Sequence, residues 1–196
     1  MFGGGLLSSE MVCMDTRARF ARDAAARASV TIRVATPADL PEVLRVQHSA
    51  FTRVARSVGV DPPSMSPVCE SLEDLRAARE GGVRTLVAQE RGRIVGTVRG
   101  GLAAGSTLEI GRLAVADGCE RRGIGAALML AIEAEFPEAA RLELYTAKEA
   151  TGPLRLYASL GYRLFREERH DPWDIVWLEK LRGAAAPTAA PGAPLH

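Results

Sequence analysis

The chain has 196 residues, of which 47% are hydrophobic and 25% charged, a composition typical of one globular domain. Its formal net charge of +1 gives no electrostatic reason to expect a nucleic-acid or membrane partner. No apolar run is long enough to span a bilayer. Cys13, Cys69 and Cys119 are widely spaced and lack metal-ligand spacing, which is typical of reduced thiols. We therefore expect a cytoplasmic protein without a bound metal.

Both ends of the chain are predicted to be peripheral. Residues 1–29 contain glycines followed by an Ala/Arg-rich stretch, which predicts a loosely ordered N-terminal extension. Residues 183–196 are rich in Ala, Pro and Gly and have little to bury, which predicts a disordered tail. Residues 30–182 are expected to form the single domain.

Within this domain, strand and helix patterns alternate. Thr31–Ala35 alternates apolar side chains and predicts a strand; Thr36 as N-cap with Pro37 then predicts a helix that ends near Phe51. Glycine and prolines between residues 53 and 68 indicate a long loop or a broken helix. A short helix capped by Ser71 follows. The remaining predicted elements are strands Arg84–Glu90, Arg93–Leu102 and Thr107–Val115, a helix ending near Phe136, a strand Arg141–Thr146, a short helix Leu154–Leu160, and strands Tyr162–Glu168 and Ile175–Leu181. This order predicts an α/β domain with mixed strands flanked by helices.

A basic, glycine-rich loop, Glu120–Leu128 (ERRGIGAAL), separates the strand Thr107–Val115 from the next helix. Such a turn presents unpaired N–H groups and the positive end of a helix dipole to an anion, and glycine allows close approach. A Walker loop would need Gly-Lys-Ser/Thr, which is absent, and a dinucleotide fingerprint would need glycine at Leu128. The loop therefore predicts a different kind of pyrophosphate site.

Two motifs in sequence order resemble those of the GNAT N-acetyltransferases. Arg122–Gly125 is similar to the core of their coenzyme A loop, [Gln/Arg]-x-x-Gly-x-[Gly/Ala], although Glu120 occupies its first position. Leu154–Tyr162 (LRLYASLGY) resembles their LYxxLGF motif, although Pro153 precedes it where many members have Asn. The order of elements resembles the family over roughly Thr31–Leu181.

The resemblance implies a GNAT-like mixed, mostly antiparallel twisted sheet that is splayed at the cofactor site. It also implies direct transfer of an acetyl group from acetyl-CoA to a primary amine. The alternative function is a catalytically inactive acyl-CoA-binding regulatory module. Gly111 is either the bulge that opens the splay or a small residue packed under a neighbour. The expected acetyl-CoA contacts lie on the strand edge and in the loop, at Leu113, Ala114, Val115, Arg121, Arg122, Gly123, Ile124, Gly125 and Ala126.

Two residues are candidates for the chemistry. Tyr157 matches the motif tyrosine, and the resemblance implies that it protonates the leaving thiolate; the alternative is a core aromatic. Glu109 interrupts an apolar strand, where a carboxylate costs desolvation unless it is paired or used. It resembles the strand glutamate that acts through water as a base in several family members. The alternative is a salt bridge to Arg112 or Arg99.

The acceptor site is predicted between residues 51–68 and 170–173. The candidate apolar wall is Phe51, Met65 and Trp173, and the acids that would attract a cationic amine are Glu70, Glu73 and Asp174. His48, His170 and Cys119 are weaker candidates for catalytic roles. A protein N-terminus, a polyamine, an amino acid and an aminoglycoside all remain open as acceptors, and a homodimer is compatible with the sequence.

Overall fold

The computed structural model describes residues 30–103, 106–169, 171 and 173–182. The predicted extension at 1–29, the predicted tail at 183–196 and His170 lie outside the described residues. Within the described ranges, no helix combines the length and the apolar character needed to cross a bilayer. The same ranges contain no group of three or more His, Cys, Asp or Glu side chains arranged to hold a metal ion.

The domain is one seven-stranded sheet with helices on both faces. The strands are β1 (Val30–Val34), β2 (Arg84–Glu90), β3 (Arg93–Ala103), β4 (Thr107–Val115), β5 (Arg141–Ala147), β6 (Arg163–Glu168) and β7 (Ile175–Leu181). The helices are α1 (Leu40–Ser57), α2 (Ser66–Cys69), α3 (Leu72–Glu80), α4 (Ile124–Ala134) and α5 (Thr151–Ser159). The strand order is β1-β2-β3-β4-β5-β7-β6, and every pairing is antiparallel except that of β4 with β5. The predicted fold class is confirmed.

The first helix differs from its prediction at both ends. Thr36 caps a 3₁₀ turn, Pro37–Asp39, with its backbone N–H donating to the Asp39 carboxylate at 2.7 Å, and α1 starts only after this turn. The helix then continues past Phe51 because Ala55 is still buried on its inner face. It stops just before Gly59, whose φ of +76° suits glycine best.

Helix α4 lies close against the sheet because β3 presents glycines beneath it. A Cβ atom added to Gly96 would lie 2.9 Å from Leu128 Cδ1, and one added to Gly100 would lie 2.9 Å from Ile132 Cγ1. Leu128 and Ile132 are fully buried there. On the opposite face, α1 and α3 cover a second apolar cluster that includes Val43, Leu75 and Ala114. The close contact of α4 with β3 fixes the position of the loop that precedes α4.

The sheet opens in its centre. Strand β4 pairs with β5 only over three positions, from Thr107 to Glu109, and the rest of β4 has no partner on that side. The β3–β4 ladder slips at the same level, where two β4 residues oppose Val98. The extra residue is Arg112, whose φ is +55°, while Gly111 remains paired with Arg99. The bulge predicted at Gly111 therefore lies one residue further along, where the ion pair of Arg112 described below holds its backbone.

Candidate functional site

The loop before α4 presents a row of unpaired backbone donors. Arg121 and Gly123 have φ values of +57° and +82°, so the chain turns twice before the helix. The first helical hydrogen bond runs from Ala127 N–H to Gly123 C=O at 3.0 Å. The N–H groups of Ile124 and Gly125, and that of the following Ala126, consequently have no backbone acceptor among the described residues. Successive amides in such a turn form a concave site for an anion.

The unpaired edge of β4 leads directly to this loop. Ala116 donates to the Val95 carbonyl of β3 at 2.9 Å, so the backbone groups of Val115 and Leu113 point away from β3. One of these groups is already engaged, since Arg53 Nη2 donates to the Val115 carbonyl at 2.9 Å. Within the part of the chain that the structure describes, no strand pairs with the remaining groups on this edge, which are the N–H of Val115 and both backbone polar groups of Leu113.

Two arginines form the ion pairs that stabilise the loop and its acidic residues. Arg53 on α1 forms salt bridges with Asp117 and with Glu120, the latter at 2.9 Å, so it offsets part of the negative charge at the first loop position. Arg122 binds both carboxylate oxygens of Glu90, at 2.5 and 3.2 Å, and this partner raises the pKa of its guanidinium. The side chain of Arg122 thus has a structural partner in Glu90, and its predicted contact with the cofactor stays a prediction. Arg121 is exposed.

Tyr157 lies in the core cluster on the α4 face of the sheet. Its ring packs edge-on against Tyr162, with 6.1 Å between centroids, and burial raises the pKa of its hydroxyl to about 12. The loop touches the same helix, because a Cβ on Gly125 would lie 3.3 Å from Leu156 Cδ2. The structure therefore brings Tyr157 and the loop to one side of the opening between β4 and β5.

A cleft of about 620 Å³ lies on the opposite face of the same sheet. Glu109 lies in the wall of this cleft and is exposed to solvent. The prediction that this carboxylate is desolvated in the strand is therefore wrong. The predicted salt bridge from Glu109 to Arg99 or Arg112 is not formed either, since both arginines bind Glu70. Glu109 is the Cα partner of Glu143 in the last β4–β5 pair before the strands part. Tyr157 does not line this cleft, so the two candidate catalytic residues face the opening from opposite sides.

Glu70, in the connection between α2 and α3, is the centre of a charged cluster in the cleft. Arg99 binds one of its oxygens, and Arg112 binds the other through Nε at 2.8 Å and Nη2 at 2.7 Å. Gln47 on α1 also donates to it, at 2.7 Å. Burial alone would raise the pKa of Glu70, but hydrogen bonds from Arg112 and Gln47 and the two positive charges outweigh it and lower the pKa. Nitrogen Nε2 of His48 lies 2.9 Å from the Glu70 carbonyl, which gives this histidine a structural contact.

These contacts correct the predicted acceptor site. Glu70 is fully engaged by cations and cannot attract another, while Met65 is buried and Phe51 packs beside the core cluster under α1. The aromatic wall of the cleft is instead formed by Tyr145 and Trp177, whose ring centroids are 5.0 Å apart. Further lining residues missed from sequence are Arg99, Arg112 and Glu143. These lining residues could have been predicted from the alternation in the strands, where a charged or polar side chain occupies every second position between apolar ones, as in Arg141–Ala147.

The seven-stranded sheet with its central opening and the glycine-rich loop before α4 together define a class of α/β domain, and comparison with known proteins identifies that class. Residues 49–162, more than half of the chain, match the acetyltransferase (GNAT) family. The chain belongs to that family. No curated protein matches it.

Solved structures of the same fold include three N-acetyltransferases. The PaiA N-acetyltransferase from Thermoplasma acidophilum, in complex with coenzyme A, has a TM-score of 0.67 and 20% identity over 79% of this chain and 99% of its own. The ribosomal-protein-S18-alanine N-acetyltransferase from Escherichia coli has a TM-score of 0.66 and 16% identity, over 82% and 99%. The ribosomal-protein-alanine N-acetyltransferase from Brucella melitensis has a TM-score of 0.60 and 21% identity, over 78% and 99%. At these identities the likeness shows the fold alone.

The charged cluster predicts a large effect of Glu70→Gln on stability. Loss of the carboxylate leaves Arg99 and Arg112 facing each other, which should lower the free energy of unfolding by about 3 kcal/mol, the low end for breaking a buried ion pair. In a domain of this size that corresponds to a fall of roughly 6–12 °C in melting temperature. The folded-state pKa of Glu70 is lowered, so its stabilisation is present above the ordinary carboxyl value of about 4.3 and is lost as the pH falls below it.

Calorimetric melting at pH 7 and at acid pH measures both effects. The matched control is Glu73→Gln, which removes an exposed carboxylate from the next helix and should change the melting temperature little. Equal melting temperatures for the two variants at pH 7 would refute the role given to Glu70.

Proposed function

We propose that the chain is an N-acetyltransferase that moves the acetyl group of acetyl-CoA directly to a primary amine. The observation that carries this proposal is the continuity of two binding features. The unpaired edge of β4 leads into the loop whose free amides begin at Ile124, and that loop lies at the position of the family's coenzyme A motif. The opening between β4 and β5 joins that edge to the charged cleft on the other face.

The residues present fit the two polar parts of acetyl-CoA. The amides from Gly123 to Ala126, with the exposed charge of Arg121, would hold the pyrophosphate, and Arg122 would contribute its backbone. Glu120 at the first loop position is compatible with this role because its carboxylate is held by Arg53, which offsets part of its charge. The amide-rich pantetheine would pair with the free backbone groups of Leu113 and Val115 as an added strand, beside Ala114.

The chemistry needs two proton transfers. The amine nitrogen forms a bond to the thioester carbonyl carbon, and the carbon–sulfur bond breaks. Glu109, directly or through water, takes the proton that the amine loses. Tyr157 gives a proton to the departing sulfur and recovers it from solvent. With a pKa of about 12 the hydroxyl stays protonated at neutral pH, above a free thiol of about 8.5, so the transfer needs a local lowering of that pKa once substrates are bound.

If the loop binds the pyrophosphate, Gly125→Glu should strongly weaken acetyl-CoA binding. The new side chain would start 3.3 Å from Leu156 and bring a negative charge to the phosphate site. Isothermal titration calorimetry with acetyl-CoA measures the loss of affinity, which should exceed about 100-fold, equivalent to about 2.8 kcal/mol. Ala127→Glu is the control, because it adds the same charge two residues on, at an exposed position. Comparable affinity of both variants for acetyl-CoA would contradict the proposal that the loop binds this cosubstrate.

The acid role predicts that Tyr157→Phe keeps acetyl-CoA affinity but lowers turnover by roughly 10²- to 10⁴-fold, the scale of a lost general acid. The variant retains the ring that packs against Tyr162. Thiol release during amine acetylation measures the rate. Tyr162→Phe is the matched control: it removes a hydroxyl that donates to Glu133 at 2.9 Å and should lower stability while leaving turnover near that of the wild type. Undiminished turnover of Tyr157→Phe, with chemistry limiting the rate, would leave Tyr157 as a packing residue.

The base role predicts that Glu109→Gln lowers activity most at pH values below the pKa of the amine, where neutral acceptor is scarce. Glu143→Gln removes an equivalent charge from the adjacent strand and should raise KM for the amine without changing the shape of the pH profile. If the two variants have the same pH profile, Glu109 contributes only its negative charge and does not act as the base. A wild-type chain that binds acetyl-CoA yet releases no thiol with any amine would be the inactive binding module.

A further inference from the structure

The cleft on the α1 face has a surplus of positive charge at one end. Arg99 and Arg112 share the single carboxylate of Glu70, so one guanidinium charge is left without a counter-charge in the cluster. Besides Glu70, Arg112 contacts Ser66 Oγ at 3.4 Å and interacts with the Tyr145 hydroxyl, so these further partners of Arg112 are uncharged. Arg99 donates to Gln47 at 3.0 Å, yet its Nε–H is buried and finds no acceptor among the described residues.

The other end of the cleft has a surplus of negative charge. Glu109 and Glu143 are direct neighbours on β4 and β5, and like charges placed opposite each other in a sheet are unfavourable. Arg141 binds Glu143 at 3.0 Å, but no side chain of the described residues forms a hydrogen bond or salt bridge with Glu109. A cation bound at Glu109 would relieve this repulsion. The position adjoins the opening through which the acetyl group must be reached.

Open space joins the two ends. Arg99 pairs with Gly111, two residues from Glu109 on β4, so the two charged positions are diagonal neighbours with Cα atoms about 7–8 Å apart. A Cβ atom on Gly111 would meet nothing within 4 Å. At Gly111, no side chain fills the part of the cleft between the arginines and the glutamates. Tyr145 and Trp177 line the cleft beside this position.

We propose, resting on the transferase function above, that the acceptor is a small zwitterion of the amino-acid type. Its amino group lies against Glu109, its carboxylate against the guanidinium of Arg112 with the charge of Arg99 behind it, and its side chain against Tyr145 and Trp177. Glu70 occupies the Nε–Nη2 edge of Arg112, so the carboxylate of the acceptor would take its hydrogen bonds from the Nη1 side of the same guanidinium. Hydrogen bonds between ions of opposite charge supply both affinity and orientation. A polyamine would instead place a second cation against the arginines, so the same charges select against it.

The experiment compares acceptors that differ only in the carboxylate. Thiol release from acetyl-CoA is measured with leucine, phenylalanine and glutamine, with their amides, and with the amines that remain after decarboxylation. Each amino acid should exceed its amide and its amine in kcat/KM by about 10- to 100-fold, the range for a hydrogen bond to a charged group. Spermidine is included as the polycationic alternative.

Two variants locate the effect. Arg112→Gln should lower kcat/KM for each amino acid, mostly through KM, by about 10- to 100-fold more than it lowers kcat/KM for the decarboxylated amine. Gly111→Leu fills the open floor and should raise KM for every acceptor while calorimetry shows unchanged acetyl-CoA affinity; its backbone needs no positive φ. Melting curves of both variants establish that they are folded.

The outcomes separate this proposal from the one it rests on. Acetylation of amines or spermidine at rates equal to or above those of the amino acids overturns the zwitterion proposal and leaves the transferase intact. The zwitterion proposal is likewise overturned if Arg112→Gln lowers the rates of amino acids and amines equally. Absence of thiol release with every acceptor overturns both proposals.

Discussion

The parting of β4 from β5 after the Glu109–Glu143 pair is the constraint on which the rest of the site depends. Backbone groups beyond that pair lack a neighbouring strand, and this leaves an edge that another extended molecule can complete. The extra residue Arg112 in β4 increases the local twist at the same level. One local break in the ladder thus creates the edge, the passage through the sheet and the cleft beyond it.

The cluster around Glu70 holds this opening in place. A carboxylate from the connection between α2 and α3 binds guanidinium groups from β3 and β4, so a helical layer is tied to both strands beside the bulge. The arginine in the bulge needs a backbone conformation that non-glycine residues seldom adopt, and its ion pair offsets the strain. Because one carboxylate serves two arginines, the same cluster that stabilises the fold leaves positive charge facing the cleft.

A departure from the family motif is offset elsewhere in the structure. Glu120 would place a negative charge beside a loop suited to anions, and Arg53 from α1 binds it together with Asp117. The same arginine donates to the Val115 carbonyl and so joins α1, the β4 edge and the loop. Close packing of α4 on Gly96 and Gly100 of β3 then fixes the loop amides, so the anion site needs little reorganisation on binding.

The sequence by itself determined the elements, the fold class and the loop, because these depend on local signals. Strands Thr107–Val115 and Ile175–Leu181 match their predicted bounds, since alternation and flanking turns define them within a few residues. Only the tertiary structure decided what surrounds the acceptor cleft. Glu70 lies 29 residues from Arg99 and 42 from Arg112, and no local pattern links residues so far apart. Which carboxylate is neutralised and which stays free, Glu70 or Glu109, follows from how the helices pack on the sheet.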